Sequence, residues 1–147
     1  MSQAVSTIAE LFYRGLERQL PDAMAIKQGE AFTPISHAEI QAQVERLALA
    51  LEARGLKAGT HVAILAENGP EWAYADYACA ILGLPLTTIY ATLNAPQAAF
   101  ILKDSASVLV FCSNGAQLEK VLAHWSELRN LHTAVLLRGE VTQGTGR

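Results

Sequence analysis

The stretch His61–Ser105, HVAILAENGPEWAYADYACAILGLPLTTIYATLNAPQAAFILKDS, decides the fold. It contains two short apolar runs, Val62–Leu65 and Leu84–Tyr90, and between them a helical segment that begins near Pro70 and ends at Gly83. Proline in the first helical turn and glycine just after the last turn are typical helix boundaries. A strand, a helix and a second strand in this order predict a parallel sheet whose strands are joined by crossover helices.

The segment before this stretch predicts two helices and a small antiparallel hairpin. The first helix is expected over Thr7–Gln19, where apolar residues recur at helical spacing. The hairpin consists of Met24–Lys27 and Ala31–Ile35, with Gly29 at the turn. Ser36 and Glu39 have the spacing of a capping box and predict a second helix that continues to about Arg54.

The segment after this stretch continues the alternation of helices and strands. Asn94 and Gln97 predict the start of a helix that ends near Asp104. Further along we expect a strand, a helix and a strand, over Val108–Cys112, Gln117–Trp125 and Thr133–Leu137. The predicted fold class is therefore α/β, a mostly parallel sheet with crossover helices in four β–α units, preceded by a helix and a small antiparallel hairpin.

The composition limits the functions that the chain can have. The 147 residues carry a formal net charge of -3, which gives no electrostatic basis for binding nucleic acid. No window of eighteen apolar residues occurs, so no transmembrane segment is expected. The N-terminus lacks the basic and apolar pattern of a signal peptide. Only 17% of the residues are charged, so the chain either packs on both faces of its sheet or is covered in part by the remainder of a larger protein. In the second case we expect an exposed apolar surface that supports self-association.

Cysteine and histidine give no indication of a metal site. Cys79 and Cys112 lie far apart in the sequence and are interpreted as free, buried thiols. The histidines do not have the paired spacing of zinc ligands; they are His37, His61, His124 and His132. Neither a Gly-x-Gly-x-x-Gly motif nor a P-loop motif occurs. The residues alone therefore predict no metal site and no nucleotide-binding loop.

Tyr90 and Thr92 are the candidate substrate-proximal residues. They follow a predicted parallel strand, and open α/β sheets bind ligands at the carboxyl ends of their strands. The alternative is that Tyr90 is an interfacial aromatic residue and Thr92 a turn residue. Glu67 is explained by the amide groups of a nearby helix start, and Glu119-Lys120 by a solvated helix face.

An ordered set of segments over residues 8–137 resembles the acyl-CoA synthetases of the adenylate-forming, AMP-binding superfamily. The matching segments are Pro21-Asp22 with Ala25-Ile26, LALALEARGLKAG (residues 47–59), VAIL followed by Asn68 and Glu71-Trp72, Ile89-Tyr90-Ala91-Thr92 with Gln97, and Phe100–Ser105. Gln117–Val121 resembles the long-chain fatty acid branch. The chain departs from the family pattern at Thr60-His61, Thr88 and Pro34-Ile35.

The resemblance implies that the parent enzyme joins a fatty acid to coenzyme A with ATP and Mg²⁺, through an acyl-adenylate. It also implies that residues 1–137 are a partial N-terminal subdomain and that the chain is truncated after it. Residues 138–147 contain three glycines and no periodic pattern, so we expect them to be a flexible tail. In this family the phosphate-binding loop and the catalytic lysine lie downstream of this region. We therefore assign no catalytic or cofactor-binding residue, and we expect the chain alone to be inactive. The parent is expected in the cytoplasm, with peripheral membrane association left open.

Two alternatives remain open from the sequence. The chain could be a stand-alone α/β binding or interaction module that holds a small ligand at the sheet edge near Tyr90. Within the superfamily, the parent could instead be an aryl or short-chain acid ligase, or an adenylation domain of a peptide synthetase.

Overall fold

The computed structural model describes residues 4–140, which form two compact units. One unit comprises residues 4–58 and 69–84, and the other comprises residues 59–68 and 85–140. The first unit contains α1 (Ile8–Leu16), β1 (Met24–Gln28), β2 (Ala31–Ile35), α2 (His37–Ala53) and α3 (Pro70–Leu82). The second unit contains β3 (Val62–Ala66), β4 (Leu86–Tyr90), α4 (Ala95–Asp104), β5 (Leu109–Cys112), α5 (Gly115–Leu122), a 3₁₀ helix (Trp125–Glu127) and β6 (Thr133–Leu136).

The first unit is a group of three helices with the β1–β2 hairpin. The predicted capping box is present, because Ser36 accepts a hydrogen bond from the Glu39 amide and the Glu39 side chain accepts one from the Ser36 amide. The ring of Phe12 lies 4.6 Å from that of Tyr77, so α1 packs on α3 through aromatic side chains. The hairpin is antiparallel, and Gly29 adopts a positive φ of 63° at its turn. These features confirm the predicted helix and antiparallel hairpin.

The second unit is built on a four-stranded parallel sheet in the order β4-β3-β5-β6. Val62 at the start of β3 lies opposite Leu86 on one side and Leu109 on the other. One face of the sheet forms a buried cluster with α4, α5 and the 3₁₀ segment; its members include Ala63, Leu65, Ile89, Leu102, Val110, Cys112, Val121 and Leu128. The predicted α/β class and the mostly parallel sheet are confirmed.

Two predicted elements, β4 and α5, have different bounds in the structure. The strand expected from Leu84 begins at Leu86, because the Leu84 amide donates to the Cys79 carbonyl at the end of α3 and Pro85 has no amide proton. The helix expected over Gln117–Trp125 begins at Gly115, because the Asn114 side chain caps it, and it ends at Leu122.

The predicted count of four β–α units is also corrected. Within residues 4–140 only the first three strands of the parallel sheet are each followed by a helix, and none follows β6. Of the predicted tail, residues 141–147 lie outside the described residues. The division at residue 137 stays a prediction.

Candidate functional site at the carboxyl edge of the sheet

The carboxyl ends of β3, β4 and β5 carry a group of polar side chains. β4 pairs with one edge of β3 and β5 pairs with the other. The order in which strands are added therefore reverses at β3, and the switch point lies between β3 and β5. Ligands in open α/β sheets bind at such a switch point, where the loops after neighbouring strands diverge. Glu67 follows β3 at this position, and Ser113 and Asn114 follow β5.

Glu67 is an exposed carboxylate held by side chains that follow β5. Its Oε1 accepts a hydrogen bond of 3.2 Å from Gln117 Nε2 and a long contact of 3.5 Å from Asn114 Nδ2. Hydrogen bonding by the Ser113 side chain is the main cause that lowers the pKa of Glu67, and its own backbone amide, Gln117 and Asn114 add to the effect. The interactions therefore favour the charged form at the switch point.

This lowered pKa predicts an acid-sensitive contribution to stability. A carboxylate with a depressed folded-state pKa stabilises the fold above its unfolded-state pKa, and the contribution is lost as the pH falls through the folded value. We expect wild type to be more stable than Glu67→Gln at about pH 7, and the difference to shrink by about pH 3. Urea unfolding of both proteins across this range measures it.

The matched control for this prediction is Glu119→Gln. Glu119 is exposed on α5, and its side chain forms no hydrogen bond within the part of the chain that the structure describes. The difference in free energy of unfolding between wild type and Glu119→Gln should change little as the pH falls from about 7 to about 3. A Glu67→Gln difference that stays constant with pH would contradict the assigned cause.

Gln117 and Lys120 connect α5 to the turn after β4. Gln117 is only 6% exposed, and its Nε2 donates both to Glu67 Oε1 and, at 3.2 Å, to the Ala91 carbonyl. Lys120 Nζ donates to the carbonyl oxygens of Ala91 at 2.7 Å and Leu93 at 2.8 Å. The prediction that Lys120 lies on a solvated helix face is therefore wrong, because its half-buried ammonium group binds main-chain oxygens.

The two predicted substrate-proximal residues lie on this turn. Tyr90 ends the edge strand β4 with 80% of its surface exposed, and Thr92 is exposed two residues later. The Leu93 amide donates to the Tyr90 carbonyl at 3.1 Å and closes the turn. Neither side chain forms a hydrogen bond within residues 4–140, so both are accessible. Their proximity to a substrate stays a prediction.

The remaining candidate groups are the cysteines and histidines, whose surroundings indicate structural roles. Burial raises the pKa of the Cys79 and Cys112 thiols to about 12, and both cysteines are free, as predicted. His37 Nδ1 accepts from the Leu20 amide at 3.1 Å, and His124 lies 2.9 Å from Glu127. Across residues 4–140 no three His, Cys, Asp or Glu side chains form a group that could hold a metal ion. No helix in the same range is long and apolar enough to cross a membrane.

The fold and sequence are similar to those of known adenylate-forming proteins. The human long-chain-fatty-acid–CoA ligase ACSBG1 is 28% identical over 133 residues, which are 90% of this chain and 18% of that protein. A feruloyl-CoA synthase from Amycolatopsis is 34% identical over 113 residues, which cover 76% of this chain and 23% of the relative. The N-terminal domain of FACL13 from Mycobacterium tuberculosis matches with a TM-score of 0.77 at 24% identity, over 89% of this chain and 34% of that structure.

A family model for AMP-binding enzymes matches residues 14–145. The chain belongs to this AMP-binding enzyme family, and the match covers almost its whole length. The predicted resemblance to the N-terminal portion of an acyl-CoA synthetase is confirmed. The chain spans about a fifth of the length of the curated relatives it matches.

Proposed function

We propose that this chain is part of an ATP-dependent fatty acid–CoA ligase, which forms an acyl-adenylate and then transfers the acyl group to coenzyme A. The observation that carries the proposal is the family match over residues 14–145, together with the similarity to a long-chain-fatty-acid–CoA ligase. The substrates of that enzyme are a fatty acid, ATP and coenzyme A, with Mg²⁺ bound to ATP. We expect it in the cytoplasm.

The residues of this chain fit a supporting role better than a role in phosphate chemistry. The carboxylate at the switch point, Glu67, is already engaged by Gln117 and Asn114, and within residues 4–140 no group of three or more His, Cys, Asp or Glu side chains is arranged to hold a metal ion. We therefore assign no step of adenylation to these side chains. Tyr90 and Thr92, which are exposed, are proposed to contact the acyl substrate.

The chain alone is expected to be inactive in adenylation. A ligase needs groups that stabilise the charge developing on the transferred phosphate, and the resemblance places those groups outside this chain. We expect no acid-dependent release of pyrophosphate from ATP by the purified 147-residue protein. The longer protein that contains the chain should release pyrophosphate when a fatty acid is added. Release by the short chain would contradict its inactivity.

The acid specificity is tested in the same assay. The similarity to a feruloyl-CoA synthase favours an aryl acid as the second candidate substrate. Palmitate and ferulate are therefore compared as substrates for pyrophosphate release, with ATP and Mg²⁺ held constant. Faster turnover of ferulate than of palmitate would indicate an aryl acid ligase and contradict the proposed fatty acid ligase. Binding of palmitate by the short chain, without activity in the longer protein, would favour the stand-alone binding module.

We also propose that the chain self-associates through an apolar surface on α4. Leu93, Pro96, Phe100 and Ile101 line a shallow depression there, and Phe100 is 69% exposed. Burial of such a surface against a second copy removes apolar area from water. We expect light scattering to show a species larger than a monomer at micromolar concentration, and Phe100→Ser to shift it toward the monomer. Lys103→Ser is the control on the same helix, and a strictly monomeric wild type contradicts the proposal.

A further inference from the structure

The turn that carries Tyr90 and Thr92 is held by side chains from a distant helix. β4 is an edge strand, and β3 separates it from β5, the strand that leads into α5. Nevertheless Gln117 and Lys120, three residues apart on one face of α5, both reach the carbonyl oxygens of the turn. The contacts join residues that are 26 to 29 positions apart in the chain.

Lys120 is placed so that its hydrogen bonds hold the turn Tyr90–Leu93 in position. Its ammonium group makes two short hydrogen bonds, to the first and last carbonyl groups of the segment Ala91–Leu93. Hydrogen bonds from a charged donor are about twice as strong as neutral ones. In the described part of the chain Lys120 pairs with no carboxylate, so its contacts are made with the main chain of the turn.

Gln117 adds a second point of attachment. It lies between Glu67 and the Ala91 carbonyl and donates one proton to each. Since Gln117 is buried, water competes poorly for these contacts. The turn is therefore connected to the switch point as well as to α5.

We infer that Gln117 and Lys120 are positioning residues, which hold the turn Tyr90–Leu93 so that Tyr90 and Thr92 meet the acyl substrate in one arrangement. This inference rests on the proposed ligase function for the role of the turn. Neither residue touches the substrate in this role. Each acts through the main chain of the turn.

The first test uses NMR to measure amide hydrogen exchange in the 147-residue protein. The Leu93 amide reports on the turn, because it donates to the Tyr90 carbonyl. In Lys120→Met it should exchange about tenfold faster, since charge-assisted contacts that resist local opening are lost. Amides of β3 and β5 should keep their rates. Lys120→Arg should stay close to wild type, and Lys103→Met, at an exposed lysine of α4, is the matched control.

The results that overturn the inference are distinct. An unchanged Leu93 rate in Lys120→Met shows that the contacts do not hold the turn. Equal acceleration in β3 and β5 shows a general stabilising residue instead of a positioning one. If Lys120→Met does not fold, Gln117→Leu is read in the same way and should accelerate Leu93 exchange without affecting β3. Failure of both variants to fold also overturns the inference.

The second test uses the longer ligase that contains the chain. Lys120→Met should raise the KM for the fatty acid by about tenfold and leave kcat within about twofold, because substrate placement is affected and the chemistry is not. Lys120→Arg should restore the KM. A KM that does not change contradicts the positioning role. Absence of acid-dependent activity in wild type contradicts the proposed function alone, since the exchange measurement does not require activity.

Discussion

Leu65→Ala is expected to lower the free energy of unfolding by about 2–5 kcal/mol. Leu65 is fully buried on the central strand β3, in the cluster that also contains Ile89, Leu102 and Val110. Removal of its three outer carbon atoms loses apolar burial and leaves a cavity, because the close-packed neighbours cannot fill it. Urea unfolding followed by Trp125 fluorescence, in a Trp72→Phe background, measures the effect in this unit.

Leu122→Ala is the matched control for this substitution. Leu122 lies in the same unit on α5 but is 53% exposed, so its truncation creates no cavity. We expect a change within about 0.5 kcal/mol. Similar losses for the two leucines would contradict the assignment of the core to the cluster around β3.

Gly83→Ala should cost about 2–4 kcal/mol, because a close contact adds to the backbone strain of roughly 1–2 kcal/mol. Gly83 ends α3 in the left-handed region, with a φ of 67°. A Cβ atom there would lie 3.2 Å from the Cβ of Ala58. Unfolding followed by Trp72 fluorescence in a Trp125→Phe background reports on this unit.

Gly55→Ala separates the two contributions. Gly55 has a φ of 82°, and an added Cβ would meet no atom within 4 Å. Gly55→Ala should therefore lower the free energy of unfolding only by the backbone strain, about 1–2 kcal/mol. If the two substitutions cost the same, the loop at Ala58 moves to accommodate the methyl group.

The sequence allowed most of the fold to be predicted, since the signals that define its elements are local. The capping box of Ser36 and Glu39, and that of Asn94 and Gln97, involve residues three positions apart and are both present in the structure. Gly83 ends its helix as expected. The start of β4 was missed because the amide of Leu84 is used by the preceding helix, an interaction that apolar pattern alone does not indicate.

The candidate site could be predicted only in part. Tyr90 and Thr92 were predicted from a local feature, because they lie at and just after the end of a strand, and their proximity to a substrate stays a prediction. Glu67 and Gln117 are separated by 50 positions, and their contact depends on the order of the strands in the sheet. Lys120 was missed for the same reason, since a lysine on a short helix has no local signal that distinguishes a solvated side chain from one that binds a distant carbonyl group.

The central position of β3 affects how the chain folds while it is being synthesised. β3 and β4 are made first and can pair, but the other edge of β3 has no partner until Leu109–Cys112 has left the ribosome. During that interval the unpaired edge of an apolar strand is available to other nascent chains. A pause while Leu109–Cys112 is still inside the ribosome should therefore favour aggregation, and a pause after this strand has emerged should be tolerated better.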